Sequence, residues 1–235
     1  MIPLSDANPK RRPAVVNRLL LFTNIAVWIY IVSLQRTPGA LDAFLDRYAF
    51  DWSRFTHDFS TGAWTIATFV PLITHLFLHG GWLHIIGNML YLWVFGDNVE
   101  DRLGSATYLL FYLLCGIVAA IGQGIVAPSP MLGASGAIAG VLGAYLVLSP
   151  GARIRTLIFL GIFITVVQLP AVVVIGFFIV IQFVEGFASL RLSGYAATEQ
   201  VAYFAHIFGF FAGIALVLLL RDRTRRDPAA YGRYG

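Results

Sequence analysis

A chain of 235 residues with 58% hydrophobic and only 12% charged side chains cannot cover a soluble globule, which needs roughly a quarter of its residues charged. Its net charge of +4 is not a nucleic-acid signal, because the arginines flank apolar runs, where they set orientation across a membrane. The single cysteine, Cys115, lies inside one of those runs and excludes an intramolecular disulfide.

A helix needs about 20 apolar residues to cross roughly 30 Å of hydrocarbon. Lys10, Arg11, Arg12 and Arg18 lead into the first such stretch, 16–35. No small-residue cleavage site follows, so 1–15 reads as a cytoplasmic segment and 16–35 as an anchor. Residues 37–81 begin polar and end apolar (WTIATFVPLITHLFLHGG). A connection of that length with so many aromatics is expected to be functional and to dip into the membrane interface. The next spans are predicted at 82–99, 105–127 and 134–149, the last two separated by Pro128, Pro130 and Gly133. Residues 156–169 are apolar but short and stop at Pro170, and they are read as interfacial or re-entrant. Spans at 170–190 and 203–220 follow, then a basic cytoplasmic tail, 221–235. Six spans keep the tail arginines with Lys10, Arg102, Arg153 and Arg155, whereas a seventh would throw the tail to the other side. The expectation is an all-α, six-transmembrane-helix bundle over 16–220 with both termini cytoplasmic.

The stretch MLGASGAIAG, 131–140, sets the hydroxyl of Ser135 between glycines in a run without charge. The helix it opens, 134–149, is only about 24 Å long at 1.5 Å per residue, so the preceding loop must sink below the outer surface. Free N–H groups and the positive end of the helix then point at Ser135. The second and sixth helices also enter from outside, bringing His84 with Asn88 one turn deeper, and His206, to the same depth. Polar groups there are costly and suggest function. Imidazole is the usual base for a serine hydroxyl, and His84, Asn88 and the Ser135 amide are candidate donors for an oxyanion. No acid lies within 203–220 and Glu185 sits toward the outer end of the fifth helix, so this reads as a Ser135–His206 dyad without a third member. Gly209 and Gly213 share a face with His206, and Gly136, Gly140 and Gly143 stand on the fourth helix. Small residues at such spacing let helices approach closely.

Other polar residues admit plainer readings. His75 and His79 are four apart, a spacing zinc sites use, yet there is no H-E-x-x-H pattern and no nearby cysteine, so no metal is expected. They are expected to brace the outer loop by hydrogen bonds. Asp97, Asn98, Glu100, Asp101 and Arg102 read as a cap and ion-pair network at the cytoplasmic end of the second helix, weak if exposed. Glu185 reads as a snorkelling interfacial acid.

Taken together, the residues resemble the rhomboid family of intramembrane serine proteases over about 15–220. HGGWLHIIGN at 79–88 resembles that family's H-x-x-x-N helix, GASG at 133–136 its G-x-S-G, and AHIFGFFAG at 205–213 its A-H-x-x-G-x-x-x-G. The resemblance implies Ser135 as nucleophile and His206 as base. It further implies an oxyanion hole of His84, Asn88 and the Ser135 amide, shaped by the Gly133 loop, with no metal or cofactor. The implied partners are membrane-protein substrates, cleaved near the outer ends of their spans, and the surrounding bilayer. The fifth helix and the loop above it, 170–202, would be the substrate gate. Two features depart from the pattern. An aromatic four residues after the serine is replaced by Ala139, so His206 is expected to be held by Phe204, Phe208 or Tyr203. The Trp-Arg pair of the first outer loop is not evident. An inactive relative that binds transmembrane clients is the alternative within this class. A channel is disfavoured because polarity stops below Asn88, at Met89, Leu90, Leu92 and Val94. One lysine beside fifteen arginines points to a bacterial inner membrane, with the site opening to the outer face.

Overall fold

The computed structural model describes residues 1–9, 11–161, 163–191 and 201–224. A short strand, β1 (Ile2–Asp6), precedes the first long helix, α1 (Val15–Leu34). The outer segment then folds into α2 (Ala40–Tyr48), α3 (Trp52–Thr61), α4 (Ile66–Phe69), α5 (Pro71–Thr74) and a 3₁₀ turn, His75–Phe77. Helices α6 (Trp82–Leu103), α7 (Ser105–Val126) and α8 (Ser135–Leu148) form the centre. A hairpin of β2 (Arg153–Leu160) and β3 (Phe163–Pro170) leads straight into α9 (Ala171–Arg191), and α10 (Tyr203–Thr224) closes the bundle. The tail from 225 onward and most of the loop above the fifth long helix, 192–200, lie outside the described residues.

Among the described residues four helices, α1, α7, α9 and α10, are long and apolar enough to cross a membrane, and a fifth span results if 66–77 and α6, bent by 82°, count as one. The 14-residue α8 is apolar but shorter. It is also the most enclosed, with every residue from Gly136 to Tyr145 buried. Its lack of an apolar stripe follows, since a helix surrounded on all sides is apolar all round.

The all-α expectation does not hold, because a three-stranded antiparallel sheet, ordered β1-β2-β3, lies beside the bundle. The segment read as interfacial or re-entrant, 156–169, is most of this hairpin, with Leu160 pairing to Phe163 and Gly161 in the left-handed region at φ 64°. Asp6 and Ile154 pair at the far end of β1. Asp6 also accepts hydrogen bonds from Tyr145 Oη (2.8 Å) and Asn98 Nδ2 (2.6 Å), tying the N-terminal strand to α8 and α6.

In the charged cluster at the end of α6, Asp97, Asn98 and Glu100 are buried rather than exposed. Glu100 is 2% exposed. Its carboxylate accepts from the N–H groups of Val16 (3.0 Å) and Asn17 (2.7 Å) and from Ser105 Oγ (2.6 Å). One side chain thus satisfies orphan donors at the start of α1 and holds the first residue of α7.

Candidate active site

Ser135 is the first residue of α8, and the chain reaches it through a loop that the outer segment pins at two places. Phe50 and Met131 exchange backbone hydrogen bonds of 3.0 and 2.8 Å, and Gly133 N–H donates to His75 O at 2.9 Å. Gly133 adopts φ 127°, where a side chain is strained, and a Cβ there would sit 2.7 Å from His84 Nε2 and 3.7 Å from Ser135 Oγ. Glycine is therefore required both by the backbone turn and by the imidazole packed over it.

His84, in the first turn of α6, accepts a hydrogen bond from Gly80 N–H through Nδ1 (3.4 Å). An accepting Nδ1 leaves Nε2 to carry the proton, so the donor edge of the ring faces Gly133 and Ser135. Its ring lies 5.0 Å from that of His79. One turn deeper, Asn88 is 8% exposed, and its Nδ2 has no hydrogen-bond partner among the described residues. A buried amide N–H₂ without an acceptor is costly unless an acceptor arrives with a ligand.

His206 lies in the first turn of α10, 8% exposed and within electrostatic reach of His84. Glycines set its distance from α8. A Cβ on Gly209 would run into the carbonyl oxygen of Gly136, and one on Gly213 into the backbone of Gly140. Gly143 faces the Phe210 carbonyl in the same way. Gln123 of α7 adds a polar clamp, accepting from Ala205 N–H at 3.1 Å while its Nε2 donates to Ala127 O at 2.8 Å. Among the described residues no hydrogen bond joins Ser135 to His206. Such contacts are often long without substrate and tighten in the complex.

The imidazole of His206 is held by residues that sequence reasoning did not name. Its ring packs at 5.9 Å from that of Phe178, and its Nδ1 lies 2.6 Å from Gln182 Oε1. Of the aromatics expected in that place, Phe204 meets Phe187 at 5.9 Å and Phe208 packs against Gly122. Glu185 is exposed on α9. The sequence offered only a lone amide, Gln182, in a largely apolar stretch, without its partner. His75 does brace the loop, its Nδ1 lying 2.7 Å from Pro71 O, while neither ring nitrogen of His79 has a partner among the described residues.

The architecture is that of a multi-pass integral membrane protein with serine, histidine and amide groups gathered at one end of its central helices. A family model described as the Rhomboid domain matches residues 66–223, and the chain belongs to the rhomboid family. The rhomboid protease GluP of Bacillus subtilis (strain 168) is 47% identical over 75 residues, 32% of this chain and 15% of that protein. Rhomboid-like protein 11, chloroplastic, of Arabidopsis thaliana is 28% identical over 155 residues, 63% of this chain and 51% of that one. The rhomboid protease GlpG of Photorhabdus laumondii is 27% identical over 136 residues, 54% and 48% respectively. The matched stretch is thus at most about half the length of these relatives.

Proposed function

We propose that this chain is an intramembrane serine endopeptidase that cuts transmembrane segments of other membrane proteins. The observation that carries the reading is the meeting of α6, α8 and α10 at one end of the bundle. There, His84 Nε2 and Ser135 Oγ both lie within 4 Å of the point where a Cβ on Gly133 would stand. In this reading α6 and the short α8 complete six spans and both termini face the cytoplasm. The site then opens to the outer face of a bacterial inner membrane. The bacterial sources of GluP and GlpG support that location, while a chloroplastic relative marks a second compartment for the family.

The chemistry follows from the groups. Ser135 Oγ bonds to the scissile carbonyl carbon as its proton passes to His206 Nε2. The carbonyl oxygen takes the negative charge and faces the Ser135 N–H, His84 Nε2–H and Asn88 Nδ2. The C–N bond then breaks, and the leaving amine takes the proton from His206. Water, deprotonated by His206, hydrolyses the acyl ester and restores Ser135. None of these steps draws on a metal or cofactor.

The test is cleavage of a single-span substrate with small residues near its outer end, reconstituted with wild type, Ser135→Ala and His206→Ala. Wild type should cut within the span, and each variant should lose about 10⁴-fold or more. Undiminished cleavage by Ser135→Ala would overturn the reading. A silent wild type that still retains the substrate would move the assignment to a client-binding protein.

A further inference from the structure

We infer that Gln182 is a positioning residue for His206, fixing the tautomer that leaves Nε2 free to take the Ser135 proton; this rests on the serine-protease reading above.

The argument begins with the amide itself. Gln182 Nε2 donates to Phe178 O at 3.3 Å, and only the N–H₂ end can do so. The oxygen end is therefore the one that meets His206 Nδ1 at 2.6 Å. A carbonyl oxygen accepts and never donates, so Nδ1 must carry the proton. The lone pair is then on Nε2, the nitrogen a general base needs for the serine. Gln182 is 7% exposed, so water does not compete for either end of the amide. Phe178, one turn earlier on the same face of α9, lies against the ring and limits its tilt. The side chain does for His206 what a carboxylate does in a charged triad, without contributing charge.

A structural consequence accompanies the chemical one. The backbone of His206 is set by α7 and α8, through Gln123 and the glycine contacts, but its ring is set by α9. Among the four long apolar helices α9 is the least enclosed. Orientation of the base thus depends on the docking of a helix that carries neither member of the dyad.

The experiment combines two readouts on wild type, Gln182→Met, Gln182→Leu and Gln182→Glu. One is ¹⁵N NMR of the imidazoles, tractable because the chain has five histidines. The other is cleavage kinetics, with labelling of Ser135 by a fluorophosphonate. Wild type should show His206 protonated at Nδ1. Gln182→Met, close in size and lacking the acceptor, should give mixed tautomers and lower kcat about 10- to 100-fold with KM little changed. That loss is smaller than the roughly 10⁴ that follows loss of a charged partner. Gln182→Glu keeps an acceptor in place and should restore kcat to within a few-fold. A thermal unfolding scan of each variant identifies any that is merely misfolded, and Gln182→Leu substitutes for Gln182→Met in that event. Wild-type kcat and an unchanged tautomer in Gln182→Met or Gln182→Leu overturn the inference, as does an Nε2-protonated His206 in the wild type. Failure of the protease reading looks different: wild type itself neither cuts nor takes the label.

Discussion

At the scale of single residues, what a methyl group would meet separates glycines that look alike in sequence. Gly87 on α6 has open space where a Cβ would stand. At Gly213 the same atom would press into the backbone of Gly140, which cannot swing aside as a flexible side chain does. Overpacking of a close contact costs about 1–3 kcal/mol, and here it would also push α10 away from α8. Gly213→Ala should therefore lower the unfolding temperature in detergent and reduce cleavage, while Gly87→Ala leaves the unfolding temperature near wild type. Equal stability of the two variants would show that the α8–α10 contact is looser than it stands here. The close approach of Gly136, Gly140, Gly209 and Gly213 was legible because small residues at a spacing of four mark one helix face. The partner of His206 was not. Gln182 lies 24 positions earlier, and nothing in the local pattern of either helix says that the two side chains meet.

Single elements show where local reading succeeds and where it fails. The long helices appear close to the predicted ranges, because hydrophobic length is a property of the segment alone. The hairpin at β2 and β3 escaped notice because both faces of TLIFLGIFITVVQL are apolar, which erases the period of two that marks a strand. Its third strand, IPLSD, lies some 150 residues away, so the sheet was not readable from either piece. The outer loop's α2 and α3 are amphipathic at helical period but only 9 and 10 residues long, too short to stand out from a connecting segment. Glu100 gives the clearest energetic case at this scale. Its carboxylate meets two backbone donors of α1 and the hydroxyl of Ser105. Replacing it by alanine strands those donors out of reach of water, at about 1–3 kcal/mol for each unsatisfied group. Glu100→Ala should thus be among the more destabilising changes in the chain, read as a large drop in unfolding temperature. Glu100→Gln, which keeps one acceptor oxygen, should fall between it and wild type. A Glu100→Ala protein as stable as wild type would mean that water replaces the carboxylate at the two helix starts.

Along the central helices, two groups of polar side chains among the described residues sit at opposite ends of an apolar middle. Ser135, His84, Asn88 and His206 lie at one end of the central helices. At the other, Asp6, Asp97, Asn98 and Glu100 join the sheet to the helix ends. Met89, Leu92, Phe95, Ala139, Leu142 and Phe210 pack between them in a single core. Groups separated by more than about 7–10 Å with no shared partner contribute independently, so the two ends should fail separately. Asp6 tests this. It accepts from Tyr145 and Asn98 while its strand pairs with β2. Asp6→Ala removes an acceptor from Tyr145 Oη and one of the two that Asn98 Nδ2 meets, and should destabilise by about 1–3 kcal/mol, visible as a lower unfolding temperature. Fluorophosphonate labelling of Ser135, measured per folded molecule well below that temperature, should match wild type. Combined with Gln182→Met, the two effects should add within about 0.5 kcal/mol in stability and multiply in rate. Strong coupling instead would mean that the sheet reaches the Ser135 end through α6 or α8. α8 runs from Ser135 to within a few residues of β2, and α6 carries His84 and Asn88 at one end and Asn98, a partner of Asp6, at the other.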